Sequence, residues 1–443
     1  MIEIISKTKS VCPICLKRID ANKIVGKDGY IYMQKSCFEH GDFETLIWEG
    51  DLKSYLDWAK LSKEGLSPTN TKKSEKGCPY DCGLCENHKS ESCCVLLELT
   101  NRCNLKCPVC FATAGEGVEK DLSLKEIETQ FDMLLKRKTR KGLFNIQLSG
   151  GEPTLRDDLA DIIALGRKKG FSYFQLNTNG VRIAKETGYA KYLKDAGVSS
   201  VFLQFDGLRD STYKILRGIP LLDIKLKAIE YCAKVGLGVV LVPTVTFNVN
   251  EDEIGAIIDF AQSKHPAIRG VHFQPLSYFG RCELESRTKI TIPRMLKHIE
   301  EQSFNKIKAS DFSGGGAESP YCSFHASYRR MSDGTFKSLP KKQDQSCCDV
   351  SNARNFVSRQ WSGPSIVGNT TSCCSTKDPF DEFIENTIRD TFTISGMVFQ
   401  DAYDLDLERL RRCKICEVDS EYGMVPFCSY NLTNIKGEAL YRK

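Results

Sequence analysis

The chain has 443 residues and a net charge of +5, from 62 Lys and Arg against 57 Asp and Glu. That length allows two or three domains of ~100–200 residues, and the near balance of charge excludes the basic footprint of a nucleic-acid binder. The first residues, Met1-Ile-Glu-Ile-Ile-Ser-Lys7, lack the basic start and apolar centre of a signal peptide, and no stretch approaches the ~18 apolar residues of a membrane span. With no export signal, 21 cysteines argue against a disulfide framework and for metal or redox work in a reducing compartment. The expectation is a soluble cytoplasmic protein of anaerobic origin, with no nucleic-acid partner and no integral membrane segment.

Residues 1–60 read as a first unit. Cys12-Pro-Ile-Cys15 opens it, the Asp28-Gly29 turn separates the β-prone runs 23–25 and 30–33, and Cys37-Phe-Glu-His40 closes it. A hairpin at Asp28-Gly29 would bring the two ligand pairs together. Cys12, Cys15, Cys37 and His40 then form a tetrahedral N/S set for one mononuclear zinc or iron, structural in role because no coordination position stays open. Residues 61–94 hold a Ser-, Thr-, Pro- and Lys-rich linker followed by Cys78-Pro-Tyr-Asp-Cys82-Gly-Leu-Cys85, with His88, Cys93 and Cys94 just beyond.

From 95 to 300 the pattern alternates strands and helices. The strand-like runs are 95–99, 143–148, 173–176, 200–205, 239–245 and 271–274, and the first helix opens on the capping box Ser123-Leu-Lys-Glu126. Such alternation implies a parallel sheet with right-handed crossovers, whose ligands sit at the C-terminal strand ends. Directly after the first strand comes Cys103-Asn-Leu-Lys-Cys107-Pro-Val-Cys110-Phe111, repeating the Cys-x3-Cys-x2-Cys spacing of the earlier triplet. Three thiols so spaced can hold three irons of a cubane and leave the fourth open. A zinc knuckle, the bland alternative, uses Cys-x2-Cys pairs rather than this asymmetric triplet. Gly150-Gly151-Glu152-Pro153 ends the second strand. Cys232 falls on the apolar face of a helix and reads as core, and His272 reads as a satisfied or lining histidine within a strand. Residues 301–443 form a cysteine-rich extension of weak periodicity, with Cys322, the vicinal pairs Cys347-Cys348 and Cys373-Cys374, and Cys413-x2-Cys416 with Cys428 as a candidate further cluster site.

The Cys103 triplet with its following Phe111, and Gly-Gly-Glu-Pro downstream, closely resemble the signature of radical S-adenosylmethionine (SAM) enzymes. The resemblance implies an α/β fold: a partial (β/α)6 barrel with an N-terminal metal ribbon and a cysteine-rich C-terminal extension. It implies a SAM-binding [4Fe–4S] cluster on Cys103, Cys107 and Cys110, with the open iron taking the methionine amine and carboxylate. On that reading Gly150 and Gly151 let backbone approach the methionyl group, and Glu152 accepts from its ammonium. Asn177 and Asn179 resemble the family segment near the SAM ribose and carboxylate, with a plain turn as the alternative. Gln204, Asp206 and Thr246 share the same mouth and face SAM or substrate. One or two auxiliary [4Fe–4S] clusters would follow, the first on Cys78, Cys82 and Cys85 completed by Cys93, where related proteins carry a cysteine.

The order of these motifs is similar to the tetraether lipid synthase and methanogen pterin methyltransferase-like branch, which departs after about residue 300. The implied chemistry is reductive SAM cleavage and functionalisation of an unactivated C–H bond, by C–C bond formation or alkylation of a lipid or small molecule. A low-potential electron donor such as ferredoxin or flavodoxin would serve it. A maturase acting on a peptide or protein is the alternative, and a non-catalytic Fe–S or zinc interaction protein a second one. The polar surroundings of Cys373-Cys374 suggest a loop offering a thiolate at the barrel mouth, against an incidental surface pair.

Overall fold

A computed structural model describes residues 3–60, 66–69, 71–115, 121–139, 142–315, 318–340, 350–363 and 386–442. Both vicinal cysteine pairs, Cys347-Cys348 and Cys373-Cys374, lie outside the described residues.

The N-terminal unit is a four-stranded antiparallel meander of β1 (Glu3–Val11), β2 (Arg18–Val25), β3 (Ile31–Cys37) and β4 (Gly41–Trp48). Asp28 accepts from the Tyr30 amide at 3.0 Å and Gly29 takes φ +82°, so the expected turn joins β2 to β3. The two outer strands escape a reading by alternation because most of their side chains are exposed or half-buried. A helix, Leu52–Ala59, capped by Asp51, follows the meander.

The main sheet contains 13 strands among the described residues. Its centre is six parallel strands: β5 (Cys94–Thr100), β7 (Asn145–Gly150), β8 (Phe174–Thr178), β9 (Ser200–Gln204), β10 (Gly238–Val242) and β12 (Ile268–Pro275). Two-residue strands lie beside them, β6 (Val109–Cys110), β11 (Thr244–Val245) and β13 (Arg281–Cys282). This is the expected α/β partial barrel. Residues alternate faces along each strand. Val95, Leu97, Leu99, Ile146, Leu148, Val201 and Leu203 join a buried layer with Ile127, Phe131 and Leu134 of the helix Leu124–Lys136. Ser123 caps that helix reciprocally with Glu126, a device that typically contributes about 1 kcal/mol.

The cysteine-rich extension continues the sheet on both sides. After β14 (Ser313–Gly314), β15 (Ser323–Arg330) and β16 (Phe336–Ser338), β17 (Thr391–Met397) runs parallel to β12. At the other edge β18 (Ile415–Asp419) runs parallel to β5 and pairs with β19 (Gly423–Pro426). The helix Ile292–Gln302 crosses the boundary expected at 300. β17 and β18 also take places beside β12 and β5, strands far away in sequence.

Candidate active site and metal centres

The Cys103 loop leaves the C-terminal end of β5, and the neighbouring strand end is built to receive it. Gly151 N–H donates to Thr100 O at 2.8 Å and Glu152 N–H to Arg102 O at 2.9 Å. A Cβ on Gly150 would stand 2.4 Å from Thr100 O, and one on Gly151 2.3 Å from Arg102 O. The glycines therefore admit the backbone beside Cys103.

Glu152 is buried, and its carboxylate is spent on the next strand end. It accepts from the Thr154 and Thr178 hydroxyls at 2.6 and 2.7 Å and from the Asn179 amide at 2.8 Å. Asn179 in turn donates to Asn104 Oδ1 inside the cysteine loop at 2.7 Å. Asn177 points along the inner face instead, donating to Gln147 at 3.3 Å and accepting from Gln175 at 3.1 Å. Asp206 is fully buried and bound by Arg217 through two hydrogen bonds of 2.7 Å, with the Thr244 amide at 3.1 Å. Its oxygens are thereby committed to this chain's own groups, which departs from the expected contact with SAM or substrate. Gln204 accepts from Lys225 at 3.2 Å. Thr246 keeps a buried hydroxyl without a hydrogen-bond partner among the described residues.

Two buried cations escape the sequence reading. Arg217 also donates to Val109 O at 3.1 Å, inside the cysteine loop. Lys225 donates to Asn179 O at 2.6 Å, and burial brings its ammonium down to about 8 against the pull of Asp206. The available signal was position: Lys225 shares the buried stripe of its helix with Ala228, Ile229 and Cys232.

Cys107 is buried, Cys103 and Cys110 half-buried. Burial pushes the Cys103 thiol up to about 12 and raises Cys107, which Arg217 and Lys225 partly offset. The thiols act electrostatically on one another, and Arg217 and Lys225 favour the Cys107 thiolate while Glu152 opposes that of Cys103. The donor set fits the implied [4Fe–4S] group.

In the ribbon, the ligand atoms of Cys12, Cys15, Cys37 and His40 all lie within 4.8 Å of one another. His40 Nδ1 stands 3.6 Å from Cys12 Sγ and 3.4 Å from Cys37 Sγ. Burial opposes the Cys37 thiolate, but the His40 side chain and the Glu39 and His40 amides outweigh it and bring the thiol to about 7. This compact mixed set suits one tetrahedral ion.

The second triplet is buried, and Cys78 hydrogen-bonded to Cys85 brings the latter down to about 6. Cys82 meets Ser429 Oγ at 3.4 Å, and its amide donates to Tyr441 Oη at 2.8 Å. Cys93, expected to complete this triplet, lies against Lys414 O at 3.7 Å and acts electrostatically on Cys416, as Cys82 of the triplet also does. The pairing of β18 with β5 draws it toward the C-terminal thiols. Burial raises the thiols of Cys413, Cys416 and Cys428, and Cys413 acts on both of the others. Cys322 joins them, accepting from Arg409 at 3.0 Å. His88 is bound to Cys413 O at 2.8 Å. Cys232 is core, and His272 is bound to Ser395 at 2.9 Å, with burial lowering it to about 4.

An α/β barrel carrying an N-terminal ribbon and cysteine loops at its strand ends defines the class. Residues 97–261 match the radical SAM superfamily and residues 4–49 the HMPTM N-terminal zinc ribbon domain, so the chain carries a radical SAM domain and that ribbon. It is 46% identical over 312 residues to 7,8-dihydro-6-hydroxymethylpterin dimethyltransferase of Methanocaldococcus jannaschii, covering 69% of this chain and 60% of that one. It is 34% identical over 199 residues to Fe-coproporphyrin III synthase of Methanosarcina barkeri, covering 45% and 47%. A GTP 3',8-cyclase of Listeria monocytogenes is 30% identical over 191 residues, covering 42% and 55%. The chain thus spans between 47% and 60% of the length of these curated relatives. Among solved structures, Streptococcus suis SuiB bound to S-adenosylmethionine matches with 18% identity and a TM-score of 0.41, over 49% of this chain and 48% of that one. Among the described residues no helix is long and apolar enough to cross a membrane.

Proposed function

We propose that the chain is a radical SAM enzyme that cleaves SAM reductively and functionalises an unactivated C–H bond of a small molecule, by C–C bond formation or alkylation. The observation that carries this is the seating of the Cys103 loop on the Gly150-Gly151-Glu152 strand end, within a matched radical SAM domain. Cys103, Cys107 and Cys110 would hold the cluster, which when bound supplies the electron that splits SAM into methionine and a 5′-deoxyadenosyl radical. This chain's residues position that chemistry. Glu152 fixes the β8 end, Asn179 ties that end to the cysteine loop, and Arg217 clamps Val109 O to Asp206. Thr246, whose buried hydroxyl has no hydrogen-bond partner among the described residues, is a polar group left to meet SAM or substrate.

The inner face is polar on β5, β7 and β8, with Glu98, Gln147, Gln175 and Asn177 and a buried Gln175 carbonyl without a partner among the described residues, and apolar on β9 and β10, where Phe202, Val240 and Val242 pack with Trp361. The first relative's name, a pterin dimethyltransferase, agrees with a small polar substrate. We assign residues 1–60 to the ribbon, 61–94 to the linker and first auxiliary cluster, 95–300 to the barrel and 301–443 to the extension. Cys78, Cys82 and Cys85 would hold one auxiliary [4Fe–4S] cluster, and Cys413, Cys416 and Cys428, with Cys322 beside them, a second. A low-potential ferredoxin or flavodoxin in the cytoplasm would serve as donor.

Anaerobic reconstitution followed by Mössbauer spectroscopy tests the cofactor set. The reading expects iron for at least two cubanes beside the ribbon ion, and about four irons per chain would refute the auxiliary clusters. Metabolite profiling of a deletion strain then identifies the substrate. Accumulation of a lipid precursor, with no polar metabolite changed, would overturn the small-molecule reading.

A further inference from the structure

Strand register lines up the inner face of the barrel. Leu96 of β5 stands level with Gln147 of β7, and Gln147 with Gln175 of β8. Asn177 stands level with Phe202 of β9, Phe202 with Val240 of β10, and His272 of β12 with Ser395 of β17. Gln147, Asn177, Gln204, His272, Gln274 and Ser395 are half-buried on this face, whereas Leu148, Leu176, Val271 and Phe273, which point the other way, show no exposed surface. Accessible surface therefore lies inside the barrel.

One part of that surface is a line of amides. Gln175 donates to Asn177 Oδ1 at 3.1 Å and Asn177 to Gln147 Oε1 at 3.3 Å. The line holds the three side chains in order and leaves the Gln175 carbonyl, on a residue with no exposed surface, without a partner among the described residues. A buried acceptor left so is costly until something donates to it. The adjoining part is aromatic: the Phe202 ring lies 5.1 Å from that of Trp361 and 5.4 Å from that of His272.

Trp361 ends the helix Val350–Trp361, which closes the barrel at the N-terminal strand ends, away from the Cys103 loop. Asn145 at the start of β7 donates to Arg354 O at 3.2 Å, and Arg269 near the start of β12 donates to Gln360 O at 2.9 Å. A Cβ on Gly238, the first residue of β10, would stand 2.6 Å from Trp361 O. Trp361 Nε1 donates to Thr393 Oγ1 at 3.2 Å, which fixes the indole. The interior is thus a cup floored by Trp361, whose walls rise to the strand ends that carry the cysteine loop. The cations nearest it are engaged: Arg442 holds Glu98 at 2.6 and 2.8 Å, and Lys225, with no exposed surface, is held by Asn179 O and Gln204. Glu417 of β18, level with Leu96, feels both members of the Glu98–Arg442 pair.

We propose that this cup is the substrate-specificity site and takes a planar ring that bears lactam groups and no negative charge, with a ring N–H donating to Gln175 Oε1 and a ring face on Phe202 and Trp361. The inference rests on the small-molecule reading above and adds to it the substrate class and the residues that select it. Side-chain amides match the N–H and C=O of a lactam in its plane, and aromatic rings serve its faces. An anionic group would leave water without meeting a free cation among the described residues. An extended acyl or prenyl chain would run into the Trp361 floor.

The test titrates lumazine, a fluorescent bicyclic ring with two lactams, into the reconstituted full chain with SAM present. Lumazine-6-carboxylate and the prenyl alcohol geranylgeraniol serve as competitors. Lumazine should bind, the carboxylate about tenfold or more weakly, and geranylgeraniol should not displace it. Gln175→Leu and Trp361→Ala should each weaken lumazine binding about tenfold or more, and Trp361→Ala should also admit geranylgeraniol. Trp361→Leu, which keeps bulk without an aromatic face, replaces the alanine variant if that one does not fold, and should lose lumazine as well. No lumazine binding by the wild-type chain, unchanged affinity in these variants, or displacement by geranylgeraniol from the wild-type chain would each overturn the proposal. 5′-Deoxyadenosine release with dithionite is read separately. Release without lumazine binding overturns the cup and leaves the radical SAM reading in place; lumazine binding that both variants lose, in a chain that releases none, keeps the cup and fails the catalytic reading.

Discussion

Gly151→Ala isolates the contact on which the site depends. Its added Cβ would lie 2.3 Å from Arg102 O and 2.9 Å from both Arg102 C and Asn101 O, all backbone atoms that no rotamer change can move. Forcing such overpacking costs about 1–3 kcal/mol. Gly150→Ala meets Thr100 O at 2.4 Å and also holds φ at +113°, where a side chain adds about 1–3 kcal/mol more. Gly188→Ala is the control, because its φ is +88° and nothing lies within 4 Å. At about 2–4 °C per kcal/mol for a domain of this size, Gly151→Ala should lower the thermal midpoint by about 2–12 °C, and Gly150→Ala by more. Because relief must displace the backbone next to Cys103, both should also retain less iron after reconstitution, unlike the control. Wild-type melting and iron content in Gly151→Ala, or iron content in Gly150→Ala as high as in Gly188→Ala, would refute the close-approach argument.

Arg217→Met should destabilise by about 3–5 kcal/mol in denaturant titration, since it strands a buried Asp206. The double variant Asp206→Leu/Arg217→Met should recover part of that loss, and equal losses would contradict the pairing. Lys225 has a folded pKa near 8 against an ordinary value near 10.5, so between those limits the unfolded chain binds more protons and stability rises with pH. Lys225→Met should remove about 3 kcal/mol of that rise, and an unchanged pH profile would contradict the burial argument. A chelator, or His40→Ala, should remove one ion per chain and hydrogen-exchange protection from β2 and β3. Persistent protection after metal loss would show that the meander stands without it.

The six central strands and both cysteine triplets were legible because their signals are local: an apolar run, a capping box, a fixed spacing of thiols. What depended on distant partners was not. Gly150 and Gly151 mark a special backbone in the sequence, but only the neighbouring Thr100–Arg102 segment reveals which group approaches them. Asp206 reads as a free carboxylate at a strand end until the helix ending at Arg217 folds back onto it. Cys93 looked close to Cys85 in sequence, yet sheet pairing with β18 carries it to Lys414. The strands β15, β17 and β18 have five to eight residues each, and β17 and β18 find their sheet neighbours β12 and β5 far away in sequence.

The central claim is that the thiols of Cys103, Cys107 and Cys110 support reductive cleavage of SAM. The direct measurement is 5′-deoxyadenosine released by anaerobically reconstituted protein given dithionite and SAM, compared with the triple alanine variant at these positions. The account predicts 5′-deoxyadenosine from the wild-type chain and none above background from the variant, with the ribbon ion retained in both. Equal release from the two proteins would contradict it.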